Sequence, residues 1–367
     1  MIKDNLKNGK PDLSSRETHC FSRKYVIPFT IGIEPMKRLL IASFENDSEY
    51  EAIEPQLFDD EINGKGLRVL VYRKDKMVDV YYENGVDINH DTFSVGDGIG
   101  LHKETIIEPR QFEIDQNGIN LHIAFTDKNQ NVIEMKIKES STSKKRMNFL
   151  APVGNDIKHP KQLFLAFMKE FDFVCRNNTT FYAKVGQRQL KPSNFPLSRN
   201  GKKVFFARYS NYPIVGTLNP DKQMPLVFDS ANYGVAEVEG MHIHLHEGKV
   251  FSISRSHYDK IVSIEFSDGM PNLYELDENK NYCGNWTYKI DDLIITGGKY
   301  SFCKKSQKVD VQIKVTQKWI PKNIPLSFQM FTIIVNSFRR WPTTYRWKGQ
   351  VDLSDKIIPL SGEWIRI

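Results

Sequence analysis

The sequence predicts a mainly β fold: two tandem antiparallel β-barrel or β-sandwich domains with one short helix. Three observations predict it. Aromatic residues make up 12% of the chain, and aromatic and β-branched side chains suit a pleated, half-buried surface. Short apolar runs alternate with Gly, Asn and Asp turns at roughly 8–12-residue spacing, the signature of an all-β sandwich or barrel. A segment also occurs twice, as YYENGVDINHDTFSVGDGIGL at 81–101 and YRWKGQVDLSDKIIPLSGEWI at 345–365. Two cancelling gaps, at His90 and Gln350, align Tyr81 with Tyr345, Gly85 with Gly349, Val86 with Val351, Asp87 with Asp352, Asp91 with Asp355 and Gly98 with Gly362. Each copy reads as strand, turn, strand, a duplicated meander.

The elements follow in order. Residues 1–24 form a polar leader with no apolar core of signal-peptide length. Residues 25–140 form an N-terminal β-domain. There, 25–33 and 39–45 read as a first strand or two, and the acidic stretch 49–61 as a loop or cover segment. Strands 67–72 and 77–83 flank Arg73-Lys74-Asp75-Lys76, a hairpin signature. Strands 112–114, 119–126 and 132–138 continue the pattern, with Ile119, Leu121, Ile123 and Phe125 at period two. Residues 141–178 are linker and helix. The run 139–146, ESSTSKKR, holds no apolar residue. After His159-Pro160, the residues Leu163, Phe164, Phe167, Met168 and Phe171 fall on one helical face. Residues 179–367 form a C-terminal β-domain, with strands at 180–185, 203–208, 226–228, 235–238, 241–246, 250–254, 261–266, 293–295, 309–316 and 326–335 before the second copy.

Bulk properties narrow the function. A chain of 367 residues, 40% hydrophobic and 26% charged, fits a soluble globular protein of two domains. The net charge of +6 is mostly interspersed, so no nucleic-acid partner is expected. No run approaches the ~18 apolar residues of a membrane helix, and no membrane partner is expected. Cys20, Cys175, Cys283 and Cys303 are scattered without CxxC spacing, so free thiols and a cytoplasmic location are expected. Gly-x-Gly-x-x-Gly, Walker, Gly-x-Ser-x-Gly and His-Glu-x-x-His motifs are missing, which disfavours nucleotide-dependent enzymes, serine hydrolases and zincins.

Three constellations carry chemistry. His242, His244 and His246 share one face of a strand, with Met241, Ile243 and Leu245 on the other. Imidazoles at this spacing suit a divalent metal if a further ligand converges on them, and otherwise form a polar strand face. No other cofactor is expected. The segment 338–347 interleaves Arg339 and Arg340 with Trp341, Tyr345 and Trp347. Such residues grip a planar or anionic ligand through stacking and cation–π contact, or pack Arg stems over rings. Asp87 and Asp352 occupy equivalent repeat positions, as buried acids or as local turn acceptors; their recurrence favours the turn role.

Gly-x-Trp occurs twice, at Gly284-Asn285-Trp286 and Gly362-Glu363-Trp364. It resembles the signature of lipocalin-type barrels, where Trp plugs one barrel end and an Arg, here Arg366, packs across it. Two such modules in one chain are similar to the tandem lipocalin-like family of carotenoid hydratases and related cyclases. The resemblance implies an aromatic-lined cavity for one small ligand. The leading expectation is binding of a small apolar or amphipathic molecule in a β-barrel cavity, with or without isomerase, cyclase or hydratase chemistry. The alternatives are a metal-dependent enzyme using the three-His strand and a non-catalytic carbohydrate- or protein-interaction module.

Overall fold

Alternating apolar and polar residues dictate strands through most of the chain, which is mainly β with curled sheets. The computed structural model describes residues 22–45, 47–86, 98–140, 145–153, 157–219, 224–257, 259–321, 324–354 and 356–367. Most of the polar leader, Cys20, Asp87, Asp91, Asp355 and residues 141–144 lie outside them.

The first strands are β1 (Arg23–Ile27), β2 (Ile31–Pro35), β3 (Arg38–Glu45), β4 (Tyr50–Asp60), β5 (Gly64–Arg73), β6 (Val78–Tyr82), β7 (Ile99–Glu104), β8 (Arg110–Asp115), β9 (Gly118–Thr126) and β10 (Val132–Glu139). Next come β11 (Met147–Ala151), β12 (Leu163–Cys175), β13 (Thr179–Val185), β14 (Arg188–Gln189), β15 (Lys191–Pro192), β16 (Asn194–Arg199), β17 (Lys202–Asn211), β18 (Ile214–Leu218) and β19 (Leu226–Ser230). The last are β20 (Gly234–Val238), β21 (Met241–His246), β22 (Lys249–His257), β23 (Lys260–Pro271), β24 (Asn281–Ile290), β25 (Leu293–Lys305), β26 (Lys308–Gln317), β27 (Tyr345–Asp352) and β28 (Leu360–Arg366). Helical structure among the described residues is a 3₁₀ turn at Leu273–Glu275, α1 (Leu326–Ile334) and the single turn α2 (Asn336–Arg339).

Among the described residues these strands form four sheets. The largest runs β2-β18-β12-β17-β3-β4-β5-β6-β7, with β11 on β12, β15 on β3 and β16 on β17. A five-stranded sheet, β14-β13-β10-β9-β8, packs on the β17 to β6 part of it, and Leu40, Ile53, Val69 and Tyr81 meet Leu121, Ile123, Met135 and Ile137 between them. Strands β20 to β28 form a nine-stranded meander. One face of the meander closes over β1, β2 and β18, where Trp286, Tyr288, Trp347 and Trp364 pack with Tyr25, Phe29, Ile31 and Leu218. β1 pairs with β19 in a separate ribbon.

Three expectations are corrected. The segment 163–171 is strand, not helix. β12 pairs with β18 through Leu163–Phe167, with β11 through Ala166–Phe171 and with β17 through Asp172–Cys175. Leu163, Leu165 and Phe167 enter one core while Ala166, Met168, Phe171 and Phe173 enter another. A strand covered on both faces is apolar almost throughout, and that run mimics a helical stripe. The short helix is instead α1, where a strand was expected. Pro325 opens it, accepting from Phe328 N and Gln329 N.

The boundary drawn through 141–178 is also not followed by the pairing. β2 and β3, from the first 45 residues, pair with β18 and β17, and the supposed linker carries β11 and β12. Finally, the two repeat copies differ in topology. β6 and β7 are parallel, whereas β27 and β28 are an antiparallel pair. Tyr81 packs on Phe125 and accepts from Lys128 N; Tyr345 meets Trp341 edge-on and donates to Ile157 O.

The Gly-x-Trp motifs have a packing cause. Gly349 and Gly362 lie opposite each other on β27 and β28. The Trp347 indole covers both: a Cβ at Gly362 would sit 2.2 Å from its Cζ2, and one at Gly349 would sit 2.3 Å from its Cη2. Tyr300 covers Gly284 in the same way, 2.3 Å from its Oη. Gly362→Ala is therefore expected to cost about 1–3 kcal/mol through overpacking, read as a lower urea midpoint. A Trp347→Leu background should remove most of that cost; an additive double variant would contradict the ring-over-glycine account.

Candidate functional site

Burial of unlike chemistry marks one place in the large sheet. Along β4, Ile53 faces the sandwich core, while Glu54, Gln56 and Phe58 turn to the opposite face. On β5, Leu67, Val69 and Val71 face the sandwich, so Arg68 and Tyr72 turn the other way. On β17, Ala207 and Tyr209 face it, so Phe206 and Arg208 turn away. Gln56 and Arg68 are direct cross-strand neighbours.

The polar groups of this face interlock. Tyr72 Oη donates to Glu54 Oε2 at 2.6 Å, and Gln56 Nε2 donates to Glu54 Oε1 at 2.7 Å. Arg68 Nε donates to Gln56 Oε1 at 2.5 Å, and its Nη2 pairs with Glu34 Oε1 at 2.5 Å. Both guanidiniums lie over rings, Arg68 at 4.7 Å from the Phe58 centroid and Arg208 at 4.6 Å from that of Phe206. Phe58 and Phe206 belong to an aromatic cluster with Phe149, Phe171, Phe173 and Phe328.

Burial sets the electrostatics. It pushes the Glu54 carboxyl above its ordinary value; the hydrogen bonds from Tyr72 and Gln56 and the charges of Arg208 and Arg68 oppose this. Burial, then the nearby Glu54 charge, pushes the Tyr72 phenol well up. Burial also pulls Arg208 down, though a guanidinium keeps its proton. Glu34 pairs with Arg68. Among the described residues no salt bridge reaches Arg208, and its Nη1 is buried with no hydrogen-bond partner. The face thus sets a carboxyl raised by burial and a guanidinium with an unpartnered Nη1 beside aromatic rings.

Glu54 lies in the acidic stretch 49–61, expected as a loop or cover segment, which is instead the strand β4. The signal that reveals it is alternation: Ile53 and Leu57 on one face, Glu54, Gln56 and Phe58 on the other.

The residues singled out in the sequence are placed elsewhere. Trp341, Tyr345 and Trp347 are buried in the core of the nine-stranded sheet, whereas Arg339 and Arg340 are exposed. The three rings are core residues, and the two guanidiniums lie apart from that core at the surface. His242, His244 and His246 share the exposed face of β21, over buried Met241, Ile243 and Leu245. His246 lies edge-on to Tyr233 and Phe251 at 5.1 and 5.7 Å. Successive same-face residues on a strand stand about 6.5 Å apart and do not converge. Among the described residues no group of three or more His, Cys, Asp or Glu is gathered as a metal requires.

Asp352 is a local acceptor for Ser354 N and Oγ at 3.0 and 2.6 Å, and these bonds hold its carboxyl below the ordinary value. Its counterpart Asp87 is outside the described residues. Trp364 is buried and Arg366 exposed at the end of β28. Cys175, Cys283 and Cys303 are free thiols. No helix among the described residues is long and apolar enough to cross a membrane.

A concavity of about 650 Å³ lies on the outer face of the meander. Ser301, Cys303, Asp310, Gln312, Lys348 and Gln350 line it. Val309, Val311 and Ile313 are buried between them in sequence on β26, so this is the polar face of an amphipathic sheet. No family model, no curated protein and no solved structure matches the chain.

Proposed function

We propose that the protein binds a small amphipathic molecule against the aromatic face of the large sheet, with its polar end at Glu54 and Arg208. Glu54 carries this reading: a buried carboxyl that burial pushes above its ordinary value, accepting from Tyr72 and Gln56 beside aromatic rings. Arg208 supplies an unpaired donor for a carbonyl or carboxylate oxygen. A carboxyl raised in this way, when it holds its proton, is equipped to act as a general acid. Protonation of a ligand C=C bond by Glu54 would leave a carbocation. Water captures it in hydration, a second double bond in cyclisation, and proton loss completes isomerisation; Glu54 recovers its proton in each. In this reading the curled sheets are the ligand-enclosing modules implied by the resemblance to tandem lipocalin-like proteins.

The test is a thermal-shift screen against lipophilic acids, aldehydes and alcohols. Stabilisation of the wild type, reduced in Arg208→Met, supports the proposal; no shift with any of them removes it. Glu54→Gln adds a pH readout. A carboxyl raised on folding contributes stability that is fully present below its unfolded value near 4.5 and is lost as pH rises through the folded value. Glutamine cannot ionise. The melting temperature of the variant relative to wild type is therefore expected to climb with pH, with any turnover abolished. Parallel profiles would show that Glu54 is ionised in the fold.

The outer concavity favours a second reading, a carbohydrate-binding module, because its amide, hydroxyl and carboxylate side chains match a hydroxyl-rich ligand. Sugars in the same screen separate the two: a sugar shift lost in Gln312→Leu but kept in Arg208→Met belongs to the meander.

A further inference from the structure

We propose that α1 docks the protein peripherally on an anionic lipid surface. The helix turns an apolar face outward. Leu326, Met330, Ile333 and Ile334 fall at i, i+4, i+7 and i+8, and they are 73%, 52%, 58% and 67% exposed; Ile320 just before the helix is 69% exposed. The opposite face is anchored. Phe328 is buried and packs against Phe149, Phe173 and Phe195. A solvated helix normally turns polar residues outward, and a contiguous exposed apolar patch marks an interaction surface.

Charge selects the occupant. Residues 311–351 contain no Asp or Glu and seven cations, Lys314, Lys318, Lys322, Arg339, Arg340, Arg346 and Lys348. The net charge of the chain is +6, so everything outside this stretch sums to −1. In sequence, Lys318 precedes α1 and Arg339 and Arg340 follow it, and all three are exposed. An apolar face flanked by cations suits a lipid interface, where apolar side chains enter the headgroup and acyl boundary and cations meet anionic headgroups. A second copy of the chain would bring the same cations together, and the repulsion disfavours it. α1 would lie flat on the surface, since nine residues are far short of a membrane span.

The experiment is co-sedimentation of the full chain with phosphatidylcholine vesicles, with and without phosphatidylserine. Binding to the anionic vesicles is expected to exceed binding to the neutral ones roughly tenfold and to weaken with salt. Ile333→Glu with Ile334→Glu should abolish it. Arg339→Glu with Arg340→Glu should lower it roughly tenfold at low salt, and melting temperatures show that both variants fold. If the isoleucine pair proves destabilising, the exposed arginine pair decides alone. No binding to anionic vesicles, equal binding by wild type and variants, or concentration-dependent dimers lost in the isoleucine variant without lipid binding would each overturn the proposal. It stands apart from the ligand reading, which is tested without vesicles.

Discussion

Asp172→Ala is expected to lower stability by about 3–5 kcal/mol, the range for stranding one partner of a buried ion pair. Asp172 and Arg199 have side chains only 4% exposed, and Arg199 Nε donates to Asp172 Oδ1 at 3.1 Å. The same oxygen accepts from Phe173 N at 2.9 Å. The other arginine nitrogens donate to Asn200 Oδ1 and Lys145 O, and the guanidinium lies 5.8 Å from the Phe328 ring. Alanine leaves this cation buried without a counter-charge. Replacing both partners, as Asp172→Leu with Arg199→Met, should recover much of the loss, because no charge is then buried. Urea unfolding measures both. The exposed Lys280–Asp277 pair is the control, and its removal should leave the midpoint in place. A small loss in Asp172→Ala would mean that water reaches Arg199.

Trp364→Ala is expected to cost a similar amount, about 3–5 kcal/mol, for a different reason. The indole is buried in the meander core, and its Nε1 donates to Leu218 O and Asn219 O at 3.2 and 3.0 Å. One side chain thus joins the last strand to β18 of the large sheet. Truncation opens a cavity and removes a donor from two carbonyls. Tryptophan fluorescence and far-UV dichroism should coincide during wild-type unfolding and separate in the variant, as the meander loosens first. Trp364→Phe, which fills much of the space but lacks the N–H, should fall between.

Local pattern made part of this fold legible. The turn 73–76 joins β5 and β6 as expected, the period-two run at Ile119 to Phe125 is β9, and the three histidines alternate along β21. Pattern failed where both faces of a strand are covered. Leu, Ala and Met in β12 are good helix formers, and an apolar run with both faces filled carries no phase, whereas Thr332, Ile333 and Ile334, with β-branched side chains, end a helix. The candidate site was hidden differently. Acidic residues around Glu54 masked a central strand, and its partners Arg68, Tyr72 and Arg208 come from distant segments. Which strands meet is a non-local fact; β1 finds β19 and β2 finds β18 with no marker in either sequence.

That pairing has a consequence for synthesis. Tyr25, Val26 and Ile27 leave the ribosome some 200 residues before Leu226, Val227 and Phe228, which they must join. At ~5–20 residues per second the wait is about 10–40 s. Through that interval a greasy nascent strand has no native partner, so the yield of folded protein depends on chaperones that shield it, and slowing translation should increase aggregation.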